Sequence, residues 1–399
     1  MRIGTYQLQQ QALNAMLDQQ SRLAKTQQQV STGQRLVTPS DDPAAASQAL
    51  DLERMRETLK QYQKNADMAR NRLSLEENAL TSVEDAVLRL RELAIQGNSG
   101  TLTATDRAQI ASEARELLRQ LVTLANTSDA NGEFLFAGYN ASTQPFTQAA
   151  SGTVSYVGDS GSRSLQISGT RQVAAGDSGQ DVFRAIRNGN GTFAVEADSG
   201  NTGTGVIDPG SVTDPSSWVA DTYTLTFLTA TTYEVRDSSN NLETSGTYSS
   251  GGAISFNGIR VSVSGTPAAN DSFTIESSAN QDLFTTALNL ATALEGVTTT
   301  SAGTAEFQNN MNRFLADIDQ AQNHLLDFRA RIGARLSAID SQKDINDSTT
   351  LTLDQSISQL KDLDYAEAIS RLNLQLTGLE AAQQSFIRIQ GLSLFNFLR

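Results

Sequence analysis

The sequence predicts an α+β multidomain protein: a long antiparallel α-helical coiled-coil rod drawn from both chain ends, with an all-β domain inserted between its arms. Three observations carry this. Apolar residues recur at alternating three- and four-residue spacing from Leu52 to Ala94 and again from Phe307 to Ile339, the pattern of helices that pack along a seam. Between these arms, from about residue 147 to 277, the chain is rich in Gly, Ser, Thr and Asn and runs in short alternating stretches such as YTLTFL, TYEVRD, ISFNGIRVSVS and SFTIES, which read as strands and turns. The two ends repeat the helical spacing more thinly. The expected layout is therefore nested: terminal helices 1–42 with 353–399, a helical rod 43–146 with 278–352 that includes a β-hairpin, and an outer β domain 147–277.

Taken in order, residues 9 to 30 carry Leu13, Met16, Leu23 and Val30 at helical spacing, diluted by Gln9, Gln20 and Gln27. A seam with so few apolar residues predicts a helix that forms against a partner rather than alone. The stretch STGQRLVTPSDDPAAA, Ser31 to Ala46, then interrupts the helical pattern with Gly33, Pro39 and Pro43. Proline lacks the amide donor a helix interior needs and restricts the residue before it. Asp42 before Pro43 reads as an N-cap followed by proline at the first helical position, so a second helix restarts there. This segment is a hinge.

The first long arm follows, and Glu76 is the only polar residue among its thirteen seam positions. Gly97-Asn98-Ser99-Gly100 stops it, and a helix from about Thr105 carries Ile110, Ala114, Leu117, Leu121 and Leu124 on one face. NGEFLFAGYN then reads as a short strand flanked by glycines. Within the β region a short helix is expected around Asp181–Arg187, and Trp218 as a core residue. Helix resumes at Asp282 and passes into the second long arm, whose ten seam positions include one polar residue, Arg335. The arms should pair antiparallel. The run DINDSTT, 344–350, weakens the seam and would lie level with the hinge at 38–42. The last segment carries Ile369, Leu372, Leu376, Leu379, Gln383 and Phe386 on one seam and closes with Leu392, Leu394, Phe395, Phe397 and Leu398, an apolar tail suited to a partner.

Composition narrows the function. The 399 residues carry a net charge of −14, and the five lysines lie at Lys64 or before and at Lys343 or after, so clustered cations for a phosphate backbone are absent and no nucleic-acid partner is expected. With no cysteine, disulfides, thiolate metal sites and cysteine nucleophiles are excluded. No apolar run approaches the ~20 residues of a membrane span, and the glutamine-rich start lacks the apolar core of a cleavable secretion signal. Gly176-Asp177-Ser178-Gly179 echoes the nucleophile loop of serine proteases, but a triad needs a histidine. The single histidine, His324, falls on the second arm, where it reads as a solvated helix residue. Asp41 and Asp42 are explained by capping without a cation. The sequence predicts no enzyme, no metal site and no cofactor.

The hinge STGQRLVTPSDDPAAA and the terminal run DLDYAEAISRLNLQLTGLEAAQQSFIRIQGLSLFNFL resemble the two ends of the flagellin superfamily, and LRLRELAIQ, Leu88 to Gln96, is similar to its rod segment. The MRI start, the PSDDP form of the hinge and GEFLFAGYNASTQPF point within it to the branch that sits between hook and filament rather than to flagellin forming the filament itself. The β insert carries no readable family motif. The resemblance implies an inner layer of terminal helices, a rod layer and an outward β domain. It also implies export without signal cleavage, aided by an export chaperone, and contacts with a hook-side hook-associated protein, with flagellin and with copies of the same chain in a ring. On this reading Leu13, Met16, Leu23, Val30, Ile369, Leu372, Leu376, Leu379, Phe386, Leu392, Leu394 and Phe395 make subunit contacts, while Gly33, Pro39, Asp42 and Pro43 form the hinge.

Overall fold

The computed structural model describes residues 5–395. Six helices are present among these: α1 (Thr5–Thr32), α2 (Pro43–Gly97), α3 (Ala104–Ala125), α4 (Leu283–Glu295), α5 (Ser301–Lys361) and α6 (Tyr365–Phe395). All strands fall between α3 and α4, so helical ends flank a β-rich insertion. The chain divides into two compact units, one of residues 1–64 with 342–399 and one of 65–341.

In the unit of 65–341, the seam closes into one core. Ala66, Ala69, Leu73, Leu80, Val83, Val87, Leu90 and Ala94 of α2 are buried with Phe307, Met311, Phe314, Ile318, Ala321, Leu325, Phe328, Ile332 and Ile339 of α5. The direction of pairing is written in the ion pairs. Arg70 meets Asp340 at 3.0 Å, Arg329 meets Glu77 at 2.8 Å and also Glu84, and Arg91 meets Asp319 at 2.9 Å. As numbers rise along α2 they fall along α5, so the two helices run antiparallel.

α3 starts at a reciprocal capping box, with Thr103 accepting from the Asp106 amide and Asp106 accepting from the Thr103 amide. α4 is N-capped by Asp282 and packs on α3. Phe136, Phe146, Phe183 and Phe284 meet edge-on or tilted, centroids 5.0 to 5.8 Å apart, and pin the intervening chain to these helices. Residues 134–136, expected as a strand, form turns with one isolated bridge between Ser128 and Phe134. Leu135 and Phe136 are buried by the helices, and that tertiary burial overrides their β propensity. The hairpin lies further on, at Phe146–Gln148 paired with Val154–Tyr156.

The β region contains a five-stranded antiparallel sheet in the order Leu242–Thr247, Thr232–Arg236, Thr222–Thr229, Ser272–Ser277, Phe193–Ala197. A second sheet is built on the hairpin Ala253–Phe256 and Ile259–Ser264. That hairpin turns on Asn257 and Gly258, both at positive φ (43° and 73°), as a tight turn matched to strand twist requires. Inward residues of both sheets, among them Tyr223, Phe227, Val261, Val263 and Phe273, make a separate core, with Trp218 partly buried against it. The short helix expected at 181–187 is a single π-helical turn, Gln180–Arg184, followed directly by strand Ile186–Arg187.

The other unit holds α1, the start of α2, the end of α5 and α6. Here Arg56 meets Asp354 at 3.3 Å and Lys361 meets Glu53 at 2.7 Å, again antiparallel. This register overturns the expected alignment of 344–350 with 38–42, since those residues lie level with the low sixties. Nor does the helix lapse there. Asn346 is buried and accepts from the Gln342 side-chain amide at 3.0 Å, so a satisfied polar pair continues the seam. The helix likewise continues through Leu353 and breaks only at Asp362–Asp364.

Candidate assembly interface

The hinge is built from the top of α1 downward. Gly33 adopts φ +69° and donates its amide to the Gln29 carbonyl at 2.9 Å, closing α1 with a left-handed residue that suits glycine. A Cβ there would stand 2.8 Å from the Tyr365 hydroxyl. The chain leaving α1 pairs with the α5–α6 break: the Leu363 amide donates to the Gly33 carbonyl at 3.0 Å and the Arg35 amide to the Lys361 carbonyl at 2.7 Å. The Gln29 side-chain amide donates to the Arg35 carbonyl at 2.7 Å, and the Arg35 guanidinium donates to the Leu360 carbonyl at 2.7 Å. Two chain breaks far apart in sequence thus stitch each other.

Asp41 and Asp42 divide the capping work. Asp42 Oδ1 accepts from the Ala45 amide at 3.0 Å, the N-cap expected ahead of Pro43. Asp41 Oδ2 accepts from the Val37 and Thr38 amides, and Oδ1 pairs with the Lys25 ammonium at 2.7 Å. The Lys25 ammonium first, and the Thr38 amide next, hold the Asp41 carboxyl at about 2. Pro39 is exposed within the turn. No cluster of His, Cys, Asp or Glu among the described residues has the arrangement of a metal site.

α1 packs against α6, with the Gln19 side-chain amide donating to the Gln375 carbonyl at 3.3 Å. Burial is concentrated near the hinge: Leu23, Thr26 and Gln29 on α1, Leu363 before α6 and Ala368 on it. The other expected contact residues are more open. Leu13 is 44% exposed, Ile369 47% and Leu376 37%; Met16, Val30, Leu372, Leu379 and Phe386 are half-buried. Their neighbours Leu17, Leu374 and Ile387 are 55%, 74% and 67% exposed. These three were missed by reading one face of each helix, although for Leu374 and Ile387 their place in an apolar-rich α6 is a usable signal. The side chains of Leu392, Leu394 and Phe395, and the whole of Phe397 and Leu398, lie outside the described residues.

The apparent protease loop is a cap. Ser178 is buried, its hydroxyl donates to Asp181 Oδ2 at 2.9 Å and accepts from the Asp181 amide at 3.2 Å. His324 is half-buried rather than solvated, because its Nε2 lies 2.8 Å from the Asp181 carbonyl and its ring packs on Phe328. It reaches the loop without hydrogen-bonding Ser178, so no triad forms.

A further set of residues escaped the sequence reading. Asn309 and Asp317 of α5 sit off the heptad seam yet are buried. Asn309 accepts from the Ile207 amide at 2.8 Å and donates to the Gly205 carbonyl at 3.0 Å, Asn312 donates to the Ile207 carbonyl, and Asp317 accepts from the Gly189 amide at 2.6 Å. Burial pushes the Asp317 carboxyl upward. These side chains clamp the β region to the helix.

The bacterial flagellin N-terminal helical region matches residues 3–141 and the bacterial flagellin C-terminal helical region matches 315–398. The D2-like domain of flagellar hook-associated protein 1 matches 196–277, so the β insert does carry a family likeness. Flagellar hook-associated protein 3 of Escherichia coli is 28% identical over 395 residues, covering 99% of each chain. The crystal structure of FlgL from Xanthomonas campestris aligns with TM-score 0.72 at 37% identity, over 77% of this chain and 99% of that one. The flagellar junction protein FlgL from Legionella pneumophila aligns with TM-score 0.72 at 33% identity, over 79% and 100%.

Proposed function

The chain belongs to the flagellar hook-associated protein 3 family within the flagellin superfamily, and from that premise we propose how it joins hook to filament. It is a structural component of the bacterial flagellum. The observation that carries the proposal is the set of exposed apolar residues on α1 and α6: Leu13, Leu17, Ile369, Leu374 and Ile387 stay open on helices that already pack against each other. Burying each large apolar side chain contributes about 1.5–3 kcal/mol, offset by ordering and association entropy. The terminal helices form the inner layer, contacting copies of the same chain in a ring, a hook-side hook-associated protein below and flagellin above. Heterologous contacts of this kind extend a tube. The apolar tail 391–399 serves assembly rather than monomer folding, and an export chaperone accompanies the chain beforehand. The chain reaches the flagellum by export without a cleaved signal.

Imaging of flagella from cells lacking this chain tests the reading. Hooks without filaments are expected, restored by the intact chain. Normal filaments in its absence would contradict it.

A further inference from the structure

Each long seam contains one polar residue, and the fold brings both to the same place. Glu76 of α2 is fully buried; its Oε1 accepts from the Asp177 amide at 3.1 Å. Arg335 of α5 grips the Asp177 carboxylate with two hydrogen bonds of 2.8 Å. Arg72, one turn before Glu76, donates to the Phe134 carbonyl at 3.1 Å and faces Asp129 and Glu133. The second oxygen of Glu76 has no hydrogen-bond partner among the described residues. A buried carboxyl left half-satisfied weakens the core rather than strengthening it, so its presence calls for another account.

We infer that Glu76, Asp177 and Arg335 form a register lock that selects one alignment of α2 against α5. The apolar residues around them cannot make that selection. A slide by one heptad sets apolar seam positions against apolar seam positions again. The same slide sets Glu76 against Phe328 and carries Arg335 away from Asp177, leaving the buried Glu76 without its loop partner and a part-buried ion pair broken, a penalised arrangement. The loop 176–179 keys into both helices only in the observed alignment. That alignment also fixes where Asn309, Asn312 and Asp317 present their clamp to the β region. The lock adds specificity, not stability.

The absence of native cysteine makes the test clean. Arg70→Cys with Asp340→Cys reports the observed register, and Arg70→Cys with Gly333→Cys reports the one-heptad slide. Each pair is placed in the parent and in a variant carrying Glu76→Leu, Asp177→Asn and Arg335→Leu, then refolded from denaturant and treated with a short bismaleimide. The parent should cross-link through 70/340. The variant should stay helical, melt no lower than the parent, and yield about tenfold more 70/333 product, the shift expected when a modest preference between two states is removed. A control, Leu80→Ala, should lower the melting midpoint and leave 70/340 as the product. Exclusive 70/340 cross-linking in a folded triple variant would overturn the inference. Failure of the triple variant to fold would overturn it equally, by making the cluster a source of stability.

Discussion

At Gly33 the left-handed backbone and the nearby Tyr365 hydroxyl act against any side chain. Gly33→Ala should cost about 1 kcal/mol, and Asp42→Ala, which orphans the Ala45 amide, a similar amount; faster amide exchange across 33–46 is the readout for both. Two carboxyls give opposite pH dependences. Asp41 is held below its ordinary 3.8, at about 2, by Lys25 first and the Thr38 amide next. Its contribution is therefore complete above pH 3.8 and lost as pH falls toward 2. Glu76 is raised well above 4.5, by burial first and the Asp177 charge next. The folded state then binds more protons than the unfolded one above 4.5, so stability drains as pH rises through that window toward the folded value. Urea midpoints of the parent and Glu76→Gln at pH 5 and pH 8 check this: the glutamine variant should gain on the parent at the higher pH. Asp42 was legible in the sequence because a cap has a local grammar. The partner of Glu76 was not, since Asp177 lies a hundred residues away and only the fold brings the two together.

Among elements, the long helices were the most readable, since a period sustained over many turns leaves no competing reading. Their boundaries were less so. Asn346 and Gln342 look like a lapse in the seam, yet they satisfy each other inside α5, and the true break at Asp362 is set by pairing with the hinge. The clamp on the β region was invisible, because a polar residue off the seam reads as solvated until a loop covers it. Asn309→Ala should leave the Ile207 amide and Gly205 carbonyl without partners, at a cost of about 1–3 kcal/mol for each buried group. Exchange should rise at 205–207 with the α2–α5 core unaffected. Unchanged exchange there would show that the strands hold their place without the side chain.

For the molecule as a whole, buried positions such as Leu73, Leu90, Ile318 and Ile332 make the fold, whereas Leu374 and Ile387, 74% and 67% exposed, are the positions proposed to meet neighbours. This division explains why the family was legible from the chain ends while the likeness of residues 196–277 to the D2-like domain was not: seams repeat, whereas strand-and-turn composition is shared by many unrelated sandwiches. Removing residues 391–399 should leave the melting midpoint of the chain nearly unchanged and abolish filament attachment. The most direct test of the central claim places charge on exposed apolar positions of α6, with Leu374→Glu and Ile387→Glu in one chain. The purified variant should match the parent in helix content and melting midpoint, while cells carrying it should show hooks without filaments. Normal filaments on those hooks would contradict the account.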